Sequence, residues 1–195
     1  MTHDFRMSSP AQDQLMHGRV ARYADLVPLP VQRDASIPLP ALDLIYARKL
    51  LPVIGLVGGG DTPISSSAPV QGAAGITMTY AACPPGQGPG LHTHKATYET
   101  FIVMQGEFEI TWGDAGEYRT VLKEKDVVSI PPGISRAFRN VGSTEAVLLV
   151  VISGGENNMA DIHLPAKQVD ALKATSPELL ERVVSAGMTY DKTTA

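Results

Sequence analysis

Residues Gly86 to Gly106 read GQGPGLHTHKATYETFIVMQG. The run holds two imidazoles, His92 and His94, one residue between them, and then a carboxylate, Glu99, with glycines at either end. Side chains on a strand alternate from face to face, so His92 and His94 point to the same side. The odd step to Glu99 requires a turn or irregularity before the carboxylate can join them. Two neutral imidazoles and one carboxylate make a metal site that leaves coordination positions open for chemistry.

Outward from that run, composition narrows the fold. A chain of 195 residues has the length of one domain with extensions. Hydrophobic residues make up 44%, enough for a sizeable core, while aromatics are only 6% and there are 18 glycines and 15 prolines. That turn-rich balance predicts an all-β protein with many short strands. A net charge of −4 makes no electrostatic case for a nucleic-acid partner. A mild basic cluster, Arg119, Lys123, Lys125, Arg136 and Arg139, reads as a solvated strand face except for Arg136. The single cysteine, Cys83, excludes an internal disulfide and reads as a packing residue. The first residues, MTHDFRMSSPAQDQ, lack the apolar core of a leader, and no apolar run reaches membrane-spanning length. The expectation is a cytoplasmic protein without membrane contact.

Four segments follow. Residues 1–54 form an N-terminal arm, with a short helix expected from Ser9-Pro10 and prolines at 28, 30, 38 and 40 that forbid long regular structure. Within it LDLIYARKLL, residues 42–51, reads as strand or helix. Residues 55–75 are a flexible connection; its glycines lack the Lys-Ser/Thr ending of a phosphate loop. Residues 76–153 carry the strands of one barrel: ITMTYAA, YETFIVMQ, EFEITWG, EYRTVLKEK, DVVSIP, SRAFRN and AVLLVVIS. YETFIVMQ is apolar on both faces, which predicts cover from the arm or from a partner subunit. Residues 154–195 form a C-terminal extension with a helix over 176–187, capped by Ser176 or Thr175 and ended by Gly187.

The opening run resembles the first motif of the cupin superfamily, Gly-x5-His-x-His-x4-Glu-x6-Gly, with Gly86, His92, His94, Glu99 and Gly106 at every fixed position. The second motif, Gly-x5-Pro-x-Gly-x2-His-x3-Asn, meets KDVVSIPPGISRAFRN, where Pro131, Gly133 and Asn140 match. Lys125 stands at the motif's glycine, and Arg136 at the histidine that is the family's fourth metal ligand. A guanidinium has no lone pair to give, so Arg136 is no ligand. The resemblance implies a cupin-type jelly-roll β-barrel with one divalent metal inside, held by His92, His94 and Glu99. The ion is Fe, Mn, Ni or Zn, with iron favoured by the two-histidine, one-carboxylate set. It also implies an arm packed on the barrel or a partner, and a homodimer. Cupin metalloenzymes include dioxygenases, isomerases, lyases and decarboxylases, and the fold alone selects none of them.

The leading expectation is a small-molecule metalloprotein, a non-haem metal-dependent oxygenase acting on an organic acid or a phenol. An inward Arg136 would anchor an anionic substrate beside the metal; a one-residue bulge would turn it to solvent. Gln105, sharing parity with Phe101 and Val103, and Tyr80 and Phe138, as apolar wall, are the substrate-contact candidates. A second reading is a non-catalytic, metal-free barrel in which Arg136 holds an anionic ligand and His92 and His94 hydrogen-bond it. A third, a metal-free sugar epimerase or isomerase, needs a paired base and acid, and no His–Asp pairing is visible near the strands. His163, in DIHLPA, has a surface or packing role; His3 and His17 carry no signal.

Overall fold

The computed structural model describes residues 16–56, 62–72, 75–154 and 158–191. Ser9, Pro10 and His3 lie outside the described residues. The ambiguous run 42–51 turns out to be both things it could be. Its first half completes helix α1 (Leu39–Ile45) and its second half opens strand β1 (Lys49–Gly55). Pro40 falls in the first turn of α1, where its missing N–H has no partner to lose. After β1 come a short helix α2 (Pro63–Ser67), capped by the Thr62 side chain, and β2 (Val70–Gln71).

The expected strands then appear in order: β3 (Ile76–Cys83), β4 (His92–His94), β5 (Tyr98–Gln105), β6 (Glu107–Trp112), β7 (Tyr118–Lys123), β8 (Val127–Ile130), β9 (Ser135–Asn140) and β10 (Ala146–Ser153). A last short strand pair, β11 (Ile162–Leu164) and β12 (Thr189–Tyr190), brackets α3 (Ala166–Thr175) and α4 (Pro177–Ser185).

Two six-stranded sheets result, in the orders β2-β1-β3-β10-β5-β8 and β12-β11-β4-β9-β6-β7. Their inner faces form the main core, where Phe101, Phe108, Ile110 and Leu148 have no exposure. The Phe138 ring meets Phe101 and Phe108 edge-on, with centroids 5.1 and 5.9 Å apart, the geometry that ring quadrupoles favour. This is the all-β jelly roll of cupin type that the motifs imply, with helices confined to the flanks. Among the described residues no helix is long and apolar enough to cross a membrane.

The flanking segments are more involved than a barrel of residues 76–153 suggests. β1, inside the expected arm, pairs antiparallel with β3, and β11, inside the extension, pairs with β4. The two flanks also build a second core together. Ile37, Ala41 and Leu42 from the arm pack with Leu164, Val169, Leu172, Leu179, Val183 and Met188 from the extension. Helix α4 matches the expected C-terminal helix, with Ser176 as its cap accepting from the Leu179 N–H. α3 was not legible. It has no side-chain cap, and apart from Gln168 it buries only Val169 and Leu172, too few for a stripe.

The two-sided apolar character of β5 is now explained in part. Phe101 and Val103 face the core, while the arm reaches the outer face of the same sheet, with Tyr23 edge-on to Tyr80 at 5.1 Å. Tyr98 and Met104 on β5 stay half exposed.

The motif glycines have backbone reasons. Gly86 and Gly106 have φ of 77° and 80°, and a Cβ on Gly106 would stand 2.7 Å from the Ala146 Cβ. Lys125, at the second motif's glycine position, keeps the same left-handed backbone, φ 73°. An L-residue there carries about 1–2 kcal/mol of strain. Lys125→Gly is therefore expected to stabilise the protein by about 1 kcal/mol, read as a rise of roughly 2–4 °C in the thermal midpoint.

Candidate metal centre

The short strand β4 places both imidazoles in one sheet and β5 places the carboxylate in the other. His92 lies opposite Arg136 on β9, and Glu99 lies opposite Ile130 on β8 and Ile152 on β10. Lys95–Thr97 form the turn that the spacing requires, and it swings Glu99 across the gap. The carboxylate Oε2 of Glu99 is 3.8 Å from His92 Nε2 and 3.9 Å from His94 Nε2. One donor atom from each of the three residues falls within 4.8 Å of the others.

Both rings have their other nitrogen committed. His92 Nδ1 lies 3.0 Å from the carbonyl oxygen of Gly90, which can only accept, so Nδ1 carries the proton. His94 Nδ1 lies 2.8 Å from Asp161 Oδ2, which likewise assigns its proton there. The two Nε2 lone pairs therefore face the Glu99 carboxylate, at distances too long for hydrogen bonds. Three acceptors turned on one another repel unless a cation lies among them. The set fits a metal, and Asp161 stands to His94 as an outer carboxylate stands to an imidazole that it orients toward an ion.

Asp161 is a residue that motif spacing does not mark, and it supplies a His–Asp pairing beside the strands. It lies 67 positions from His94 in the chain, in a single turn Met159–Asp161 of the extension. Its Oδ2 also accepts from Thr97 Oγ1 at 2.6 Å and its Oδ1 from the Ala96 N–H. One side chain thus fixes both the imidazole and the turn that delivers Glu99. Nothing in the motif spacing marks it.

Arg136 points into the barrel, and its whole residue is buried. It does not, however, meet the space a substrate would fill. Its Nε donates to Glu99 Oε2 at 2.8 Å and its Nη1 to the carbonyl of Ile134 at 3.3 Å, while Nη2 is buried without a partner among the described residues. The expected substrate anchor is instead the counter-ion of a candidate metal ligand, and it is absent from the cavity wall. Burial alone works to raise the Glu99 carboxyl. Arg136, with His94 and His92, outweighs that and holds it well below the usual carboxylate range. For His94, burial dominates and lowers the imidazole below its ordinary value, against the pull of Glu99 and Asp161. The ring is neutral, as a ligand must be.

The three donors open onto a cavity of about 120 Å³. Its wall comes from the barrel (Thr79, Phe138, Val150, Ile152), from the arm (Leu29, Leu44–Ala47) and from the extension (Met159, Ile162, Leu164, Met188). Of the expected substrate contacts, Phe138 lines it. Tyr80 does not: on β3 the inward residues are Thr77, Thr79 and Ala81, so Tyr80 faces outward against Tyr23. Gln105 does not either. The β5–β10 register slips between Val103 and Gln105, a bulge that breaks the parity, and Gln105 ends exposed with its amide on the Glu145 carbonyl. His163 lies outside the centre, bound to Thr189 and Asp191.

Comparison with known proteins agrees with the geometry. Residues 79–152 match the cupin domain family model. These residues, inside the jelly-roll sheets, are a cupin domain. Germin-like protein subfamily T member 3 of Arabidopsis thaliana is 26% identical over 152 residues, covering 70% of this chain. The chain spans 64% of that relative's length. Among solved structures, a predicted oxalate decarboxylase from Thermotoga maritima is 26% identical, with a TM-score of 0.38 over 40% of this chain and 66% of its own. The Schizosaccharomyces pombe Cnp3 cupin domain is 18% identical, with a TM-score of 0.39 over 42% of this chain and 57% of its own.

Two outcomes test the electrostatics. Glu99→Gln strands the Arg136 charge inside the barrel and is expected to destabilise by about 3–5 kcal/mol in urea denaturation, most of it recovered when Arg136→Met is added. Asp161 is held down to about 2, against an ordinary 3.8, by His94, Thr97 and Ala96, which outweigh burial. A lowered carboxylate stabilises fully above its unfolded value and loses that contribution as pH falls through the folded one. Thermal midpoints should therefore fall between about pH 4 and 2 less steeply in Asp161→Asn than in the wild type.

Proposed function

We propose that this cupin is a mononuclear non-haem metalloenzyme, an oxygenase whose substrate is a small apolar phenol. The observation that carries the metal is the pair of Nε2 lone pairs turned on an ionised carboxylate, with both Nδ1 protons committed elsewhere. A divalent ion held by His92, His94 and Glu99 would supply Lewis acidity toward a phenolate oxygen and, if it is iron, activation of dioxygen.

The cavity supports a phenol over an organic acid. Among the described residues no Lys or Arg contributes to its wall, and the Arg136 guanidinium is already bound to Glu99. A carboxylate entering it would be left without a charge partner, which is costly in an apolar site. A volume of about 120 Å³ is close to that of an apolar cavity known to take a single benzene ring, roughly 150 Å³. The same apolar wall is unsuited to a sugar, which argues against the epimerase reading despite the His94–Asp161 pair.

The residues of the chain do the following. Asp161 and the Gly90 carbonyl hold the imidazoles in the tautomer that presents Nε2. Arg136 keeps Glu99 ionised and fixes one of its oxygens, which leaves Oε1 the freer ligand atom. Phe138 and the aliphatic wall exclude water and orient a ring. With three candidate ligands among the described residues, a bound ion would keep positions open to exogenous ligands, while the Arg136 charge lowers affinity for any cation.

One observation favours the metal-free binding barrel: the Arg136–Glu99 pair is already neutral without an ion. Elemental analysis of untagged protein separates the two readings. Near one metal per chain, lost in His92→Ala and His94→Ala, is the expected result. Arg136→His, which would add a third imidazole as fourth ligand and removes a like charge from beside the ion, should tighten metal binding by roughly tenfold, about 1.4 kcal/mol. Protein that refuses Fe, Mn, Ni and Zn, and Arg136→His that refuses them too, would reject the metalloenzyme.

A further inference from the structure

Two hydroxyls on the cavity wall have no assigned task. Tyr46 comes from the arm, at the end of α1, and Thr79 from the inward face of β3; both line the cavity onto which His92, His94 and Glu99 open. Neither side chain makes a hydrogen bond among the described residues. The other polar wall residues are already engaged: Thr62 caps α2, and Asn158 accepts from the Ala160 N–H. An unused hydroxyl on an otherwise aliphatic wall is a polar contact waiting for a ligand atom.

Their place in the sheet gives the reach. Thr79 pairs with Val150 on β10, and Val150 with Phe101 on β5, so Thr79 stands two strands from the strand that carries Glu99. Two strand spacings are about 10 Å. That is too far for neighbouring oxygens chelating one ion. It suits a ring with one oxygen at the three donors and a second oxygen on the opposite side.

We infer that Tyr46 and Thr79 form a second polar subsite, donating to an acceptor oxygen at the far end of a single-ring phenol whose hydroxyl lies at His92, His94 and Glu99. The inference rests on the phenol reading above and names its substrate class: an aromatic ring with oxygens at opposite ends. Burial pushes the Tyr46 hydroxyl up to about 12, so near neutral pH it is a proton donor toward that oxygen. Both residues lie outside the two motifs, and Tyr46 lies outside the strands of the barrel, so the arm takes part in specificity as well as in covering the cavity.

The test uses a matched pair of probes, 4-methoxyphenol and 4-ethylphenol, which share a shape and differ in one acceptor oxygen. Zinc-loaded full-length protein avoids redox chemistry, and affinities are read by isothermal titration. Wild type is expected to prefer 4-methoxyphenol by about fivefold, the worth of one neutral hydrogen bond. Tyr46→Phe and Thr79→Val each reduce that preference, and the double variant abolishes it. Thermal midpoints of the variants confirm that the fold is kept. A preference that survives in the double variant overturns the inference, as does wild type that binds both probes equally. Wild type that takes up no zinc, or binds neither probe, rejects the phenol reading itself and the subsite with it.

Discussion

A guanidinium without exposed surface lies inside an apolar barrel, and the carboxylate of Glu99 makes that burial tolerable. Arg136 belongs to one sheet and Glu99 to the other, so their 2.8 Å contact is also a tie across the barrel. Such a pair adds little net stability over apolar residues of similar shape, yet it makes each partner depend strongly on the other. The consequence for chemistry is direct. The residue that ionises Glu99 occupies the position from which a fourth ligand would come, so one substitution at Arg136 both readies the carboxylate and competes for it.

Around that tie the rest of the centre is positioned by segments outside the barrel's own strands. Asp161 is presented by the extension, Tyr46 by the arm, and the two segments hold each other through the core formed by α1, α3 and α4. The cavity wall is therefore a joint product of three parts of the chain. Its character follows from theirs: among the described residues, aliphatic side chains from each, the hydroxyls of Tyr46 and Thr79, and no cation. A site with this lining selects ligands by size and by a few polar atoms, more than by charge.

Much of the barrel was legible because its signals are local. Strand alternation, turn glycines and the run from Gly86 to Gly106 each depend on residues a few positions apart. The same holds for α4, whose cap and apolar stripe are contiguous. Gln105 was misplaced because a bulge shifts parity by one residue without leaving a mark in composition. Tyr80 was misplaced because β3 has apolar residues facing outward, where the arm's Tyr23 meets them, and threonines facing inward. Alternation identifies two faces, but it does not say which one the protein encloses.

By itself the chain determined that three donors of metal-binding type fall at the motif's spacing, and that Arg136 stands where the motif's fourth ligand, a third imidazole, would be. These are statements about residue type and spacing. Only the tertiary structure decided that Arg136 points inward and binds Glu99, that Asp161 orients His94 from 67 residues away, and that the cavity is walled by the arm and the extension. The physical reason is that contact energies act through space. Burial, ion pairing and cavity shape depend on which distant segments are brought together, and short-range spacing carries no record of that.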